Sequence, residues 1–124
     1  MTGTAHLAGK RVLLVEDQFI IAMDLERVLK AAGCLVTGPV ARLQPALAQA
    51  TTGAFDFAIL DVNLFGEKVF PVAEMLDQRG VPFVLTTGYG DRAAPPGREA
   101  WPIVNKPYDP QAVLRLMGSM LPHA

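Results

Sequence analysis

Four apolar runs in this sequence each end on residues that could do chemistry. Val12 to Val15 leads into Glu16-Asp17, and Phe57-Ala58-Ile59-Leu60 leads into Asp61. Phe83 to Leu85 leads into Thr86-Thr87-Gly88, and Ile103-Val104 leads into Asn105-Lys106. Taken singly, most of these have an ordinary explanation. Acids such as Glu16-Asp17 favour the first turn of a helix, threonine is common in strands, and a lone lysine is usually solvated. Asp61 is different, because it follows four apolar residues and precedes Val62. A carboxylate in such a setting needs a partner or a task.

The types gain meaning if they share one place. Two carboxylates about 4 Å apart repel by roughly 4 kcal/mol at an effective dielectric near 20. Three gathered acids would strain a marginally stable domain, so protons or a cation must offset them. All-oxygen ligands favour Mg2+, which keeps waters and an open face for a phosphate. An ammonium and a hydroxyl opposite would complete a site for a phosphoryl group. A central carboxylate could then be the nucleophile that receives it.

The elements between these residues decide whether they meet. Apolar runs at Val12 to Val15, Leu35 to Val36, Phe57 to Leu60, Phe83 to Leu85 and Ile103 to Val104 read as strands covered on both faces. Helical stripes alternate with them: Ile21, Leu25, Val28, Leu29 and Ala32; Leu43, Leu47 and Ala50; Val69, Val72, Ala73 and Leu76; and Val113, Leu116, Met117 and Met120. Asp109-Pro110 predicts the start of the last helix, an N-cap carboxylate followed by proline at the first helical position. The segment Asp91 to Pro102 carries Pro95, Pro96, Gly97 and Pro102, so a regular helix is not expected there. The alternation predicts an α/β fold, a mostly parallel sheet with helices on both faces. Such sheets place their site at the carboxyl ends of the strands, which is where all these residues stand.

Composition narrows the rest. A chain of 124 residues with 51% hydrophobic content suits one domain with a real core. The formal net charge of −1 gives no sign of a nucleic-acid or membrane partner. The single cysteine, Cys34, lies in an apolar run and reads as a buried small hydrophobe in a reducing compartment. With no membrane-length apolar stretch and no secretion signal at the start, a cytoplasmic location is expected. The boundaries read as a flexible tail over 1–9, a domain over 10–121 and a short tail over 122–124.

Together, "VLLVEDQ", "AILDVNL", "FVLTTGYG" and "NKPYDP" resemble the receiver domain of two-component response regulators, from about Lys10 to Leu121. The resemblance implies the flavodoxin-like doubly wound five-stranded parallel sheet of order 2-1-3-4-5, here with an irregular or shortened fourth helix. It implies Asp61 as the phosphoacceptor of a partner histidine kinase or phosphotransfer protein. Glu16, Asp17, Asp61 and the Asn63 backbone carbonyl would hold Mg2+, and no organic cofactor is implied. Thr87 would be the hydroxyl that moves toward the phosphoryl group, Thr86 being disfavoured by strand alternation. Lys106 would pair with the phosphate, ahead of a cis bond to Pro107.

One position departs from the pattern: Ile103 stands where ordinary receivers carry an aromatic switch residue three places before the lysine. The sequence there is similar to the FATGUY subgroup of receivers, with Leu85-Thr86-Thr87 in place of Phe-Ala-Thr. That subgroup implies single-domain bacterial regulators, often from alphaproteobacteria, paired with HWE-type kinases. With Ile103 in place, the switch is expected in the segment Gly88 to Pro102, with Tyr89 as its aromatic element.

The expectation is therefore a stand-alone phosphoacceptor that switches protein contacts, not an enzyme beyond slow autodephosphorylation. A fragment of a longer regulator and a docking module that is never phosphorylated are the alternatives. An aspartyl-phosphate phosphatase would want an acid where Asn63 stands, and a flavin phosphate would be repelled by Glu16-Asp17. Leu114 and Leu121 beside Val113 and Met117 could form a dimer face or simply be buried, so a monomer or weak homodimer is expected.

Overall fold

The computed structural model describes residues 5–88 and 94–122. Five parallel strands form one sheet: β1 (Arg11–Val15), β2 (Leu35–Val40), β3 (Phe57–Asp61), β6 (Phe83–Thr87) and β7 (Ile103–Asn105), in the order β2-β1-β3-β6-β7. Two-residue strands β4 (Asn63–Leu64) and β5 (Glu67–Lys68) form a small antiparallel hairpin after β3. Setting that hairpin aside, the order is the expected 2-1-3-4-5, and the fold is flavodoxin-like. The helices are α1 (Phe19–Ala31), α2 (Leu43–Thr52), α3 (Phe70–Gln78) and α4 (Pro110–Met120).

The period of two along each strand splits the apolar side chains into two cores. Val12, Leu14, Phe57, Ile59 and Val84 pack against α1 and α4 through Leu25, Val28, Leu29, Val113, Leu114 and Met117. Leu13, Val15, Ala58, Leu60, Phe83 and Leu85 pack against α2 and α3 through Ala46, Ala50, Val72, Ala73 and Leu76. The sheet is thus covered on both faces. Leu114, Leu121, Val113 and Met117 all belong to the first core and are buried within the domain, so they form no exposed dimer face. At the start of α4, the Asp109 carboxylate accepts from the Gln111 N–H at 2.9 Å, with Pro110 as the first helical residue.

Two local features depart from the sequence reading, and a third agrees with it while adding contacts. First, residues expected as part of a loose tail are tied down. Leu7 is fully buried in the α1/α4 core, and His6 Nε2 lies 3.0 Å from the Gly118 carbonyl. Second, β2 runs on past Val36 through Gly38 and Pro39. An edge strand tolerates the missing proline donor, and Gly38 has φ 121°, where a Cβ would lie 2.4 Å from the Leu14 carbonyl oxygen. This irregularity shifts the β1/β2 register between Leu13 and Val15, and beyond it the Glu16 N–H donates to the Val40 carbonyl. Third, residues 94–102 form no helix but are docked. Trp101 packs edge-to-face on Phe83 at 5.2 Å, and Arg98 pairs with Glu74 of α3 at 2.6 and 3.0 Å.

Candidate functional site

At the carboxyl edge of the sheet, β1 delivers Glu16 and Asp17, β3 delivers Asp61, and the chain leaving β7 delivers Lys106. One carboxylate oxygen from each of the three acids lies within 4.8 Å of the others. Lys106 Nζ donates to Glu16 Oε2 at 3.0 Å and to Asp61 Oδ2 at 3.1 Å. Both acids are only 3% exposed, so two buried carboxyl groups share one ammonium. The Lys106 backbone is fixed in turn, its N–H donating to the Thr87 carbonyl, and the Lys106-Pro107 bond is cis. Above them opens a cavity of about 210 Å³ lined by Asp17, Gln18, Asp61, Asn63, Gly88 and Lys106.

The acids are not helix caps. The N-cap of α1 is Gln18; Glu16 Oε2 accepts from the Gln18 N–H at 3.1 Å and from Lys106. Asp17 reaches the other way, accepting from the Phe65 N–H at 3.0 Å. That amide belongs to the turn of the β4–β5 hairpin, where Phe65 has φ 51°, a left-handed conformation uncommon for a bulky residue. The Asn63 side chain steadies the same turn, accepting from the Gly66 N–H at 2.9 Å, and Arg42 lies 4.2 Å over the Phe65 ring. The hairpin thus shapes one wall of the cavity.

The electrostatics follow from this crowding. Burial, then the hydrogen bond and the negative charge of Glu16, push Asp61 up to about 8, against the pull of Lys106. For Lys106, burial lowers the pKa, but Glu16 and Asp61 together outweigh it and leave it raised. The ammonium is therefore firmly charged. One ammonium does not satisfy three acids, so the donor set fits a further hard cation such as Mg2+, with oxygen ligands and an open side.

The threonines need closer reading. Thr86, not Thr87, is the register partner of Asp61, and alternation places it with Val84 on the α1/α4 face. Its hydroxyl is buried with no partner among the described residues. Thr87 falls on the α2/α3 side, and its hydroxyl donates to the Gly88 carbonyl at 3.3 Å. Thr87 is not among the residues lining the cavity, although Gly88 is. The alternation argument that disfavoured Thr86 is therefore not supported by the register. An unpaired buried hydroxyl costs about 1 kcal/mol or more. Thr86→Val, which keeps the shape, should raise stability by about 1 kcal/mol, or the thermal midpoint by about 4 °C. Calorimetry of the metal-free protein checks this; a lowered midpoint would mean that the hydroxyl is paired in solution.

Tyr108 likewise carries a buried hydroxyl with no partner among the described residues. Burial first, then the charges of Glu16 and Asp61, push its phenol well above the usual range, so it remains neutral beneath the site. Ile103 is half-buried in the α2/α3 core with Trp101. Tyr89, the expected aromatic element of a switch, lies outside the described residues. Gln18 was not foreseen as a site residue, although it lines the cavity and contacts Lys106. Its one sequence signal is its place directly after the acid pair.

The model of the response regulator receiver domain matches residues 12–117. The chain is 30% identical over 84 residues to the transcriptional regulatory protein PdtaR of Mycobacterium tuberculosis; the match covers 67% of this chain and 41% of PdtaR. The chain thus spans well under half the length of that relative. Among solved structures it is similar to SdrG from Sphingomonas melonis Fr1, with TM-score 0.78, 36% identity and coverage of 98% of this chain and 100% of that one. It also shares its fold with the receiver domain of sensor histidine kinase PA1611 from Pseudomonas aeruginosa PAO1, described with a magnesium ion in its active-site cleft. There the TM-score is 0.73 and the identity 23%, over 90% of this chain and 97% of that one.

Proposed function

The chain belongs to the response regulator receiver domain family, and on that premise we propose that it takes a phosphoryl group on Asp61 from a partner histidine kinase or phosphotransfer protein and changes its protein contacts in response. The observation that carries this reading is Asp61 itself: a buried carboxylate facing an open cavity, with the Lys106 ammonium 3.1 Å from its Oδ2. Glu16, Asp17, Asp61 and the Asn63 backbone carbonyl would hold Mg2+, which supplies the positive charge needed as phosphoryl oxygens approach the acids.

The chain's own residues then have distinct tasks. An Asp61 carboxylate oxygen forms the new bond to phosphorus as the bond from phosphorus to the donor's imidazole nitrogen breaks, and the leaving nitrogen keeps the electron pair. Lys106 neutralises charge on the transferred group. Thr87 supplies a hydroxyl once it turns from the Gly88 carbonyl. Phe19 and Ile20, 71% and 76% exposed, directly follow the lining residue Gln18 in the chain, and Phe65 is exposed in the hairpin turn that follows the lining residue Asn63. Exposed apolar side chains next in sequence to the lining residues suit a protein donor, here a histidine kinase, with the HWE type favoured by the FATGUY resemblance. How the signal leaves the site is proposed to involve Tyr89 and the segment that follows it.

The test is phosphate uptake from a small phosphodonor such as phosphoramidate. Acid-labile, hydroxylamine-sensitive phosphate should appear with Mg2+ and fall to background with a chelator. No uptake in saturating Mg2+ from either the small donor or a panel of histidine kinases would leave only the docking-module reading.

A further inference from the structure

An ammonium has three N–H donors, and Lys106 uses all of them. Its partners are Gln18 Oε1 at 2.7 Å, Glu16 Oε2 at 3.0 Å and Asp61 Oδ2 at 3.1 Å. The shortest contact is to the neutral residue. We infer that Gln18 is a positioning residue that holds the Lys106 ammonium over Asp61. This rests on the phosphoacceptor reading and adds a residue to it.

The two acidic partners are unreliable anchors during the reaction. Asp61 changes its bonding when it takes the phosphoryl group, and Glu16 belongs to the acid cluster that would hold a cation. Gln18 is consumed by neither step. A carboxamide oxygen also holds the ammonium without neutralising it, so the full charge stays available to the phosphoryl oxygens.

Gln18 is well placed to act as an anchor. Its N–H donates to Glu16 Oε2 and its carbonyl accepts from the Ala22 N–H, so its backbone is fixed at both ends as the N-cap of α1. The side chain spans from the start of α1 to the chain after β7 and so links these two elements at the site. Lysine carries a flexible four-carbon stem whose freedom must be restricted for the ammonium to stay in place. Gln18 itself is exposed, so its contribution to folding stability should be small.

The experiment compares wild type, Gln18→Leu and Gln18→Glu. Gln18→Leu removes the acceptor at similar size; Gln18→Glu restores an acceptor. Three readouts are taken: phosphate uptake from phosphoramidate, the nitrogen resonance of the Lys106 ammonium by NMR (assigned with Lys106→Met), and the thermal midpoint. Gln18→Leu should slow uptake about fivefold, the worth of one ordinary hydrogen bond, and its ammonium signal should broaden through faster proton exchange. Gln18→Glu should recover the signal, and the thermal midpoint should stay within about 2 °C in both variants. Wild-type uptake and an unchanged ammonium signal in Gln18→Leu would overturn the inference. A loss of uptake matched by a large fall in midpoint would also overturn it, since that marks a structural role. Failure of the wild type to take up phosphate overturns the phosphoacceptor reading itself, and is distinguished by the wild-type arm alone.

Discussion

Asp61→Asn should reduce phosphate incorporation more than about a hundredfold, from the kinase and from small donors alike. The neighbouring acids are poorly placed to substitute. Glu16 does not line the cavity, and its Oε2 already accepts from Lys106 and from the Gln18 N–H. Asp17 lines the cavity, but it is tied to the Phe65 N–H across the hairpin turn. Among the described residues, Asp61 alone combines an open approach with an ammonium close enough to neutralise an incoming phosphoryl oxygen. An amide in its place keeps the shape but is a far weaker nucleophile. The check is mass spectrometry of the labelled protein, with hydroxylamine to identify an acyl phosphate. Labelling of the Asn variant at the wild-type rate would place the chemistry elsewhere. If the wild type is labelled but a downstream partner binds both forms equally, the phosphoryl group is carried without acting as a switch.

Much of this site was legible because of where its residues stand along the chain. An apolar run that stops on Asp61 states both a buried strand and a costly charge at its end. The same logic applies to Glu16-Asp17 and Lys106, and parallel strands bring their carboxyl ends to one edge. The N-cap at Asp109 was legible because capping is a local interaction between neighbours. What escaped was less local. The Gln18–Lys106 contact joins residues 88 apart, and nothing in either neighbourhood announces it. The β4–β5 hairpin has strands of two residues, too short for any periodic signal, and its turn puts Phe65 at positive φ where glycine would be expected. Gly38-Pro39 reads as a strand end, yet an edge position lets β2 continue. The choice between Thr86 and Thr87 depended on register. Alternation within one strand cannot say which face its neighbour's aspartate occupies.

The metal-free protein should lose stability as pH rises from about 5 to about 8, and Mg2+ should remove most of that loss. Asp61 titrates near its ordinary 3.8 when unfolded and at about 8 when folded. Between these values the folded state holds the extra proton. Its stabilising contribution is complete below the unfolded pKa and disappears as pH climbs through the folded one. Water reaches the cavity and Lys106 offsets part of the cost, so the loss should be on the order of 2 kcal/mol, well short of the full shift. The other displaced groups act outside this window. Asp56, lowered chiefly by its hydrogen bond from the Arg11 backbone, favours folding above its own range and fails only in acid. Lys106, raised, fails only in alkali. A cation at a hundred times its dissociation constant would add about 2.7 kcal/mol, enough to offset the loss at pH 8. Urea unfolding at pH 5, 6.5 and 8, with Mg2+ and with a chelator, measures both effects, and Asp61→Asn isolates the residue. In that variant the metal-free stability should be nearly flat across the window and exceed wild type at pH 8. If wild type and Asp61→Asn show the same pH slope without metal, the strain at this edge does not reside in Asp61, and the need for a cation there must come from elsewhere in the acid cluster.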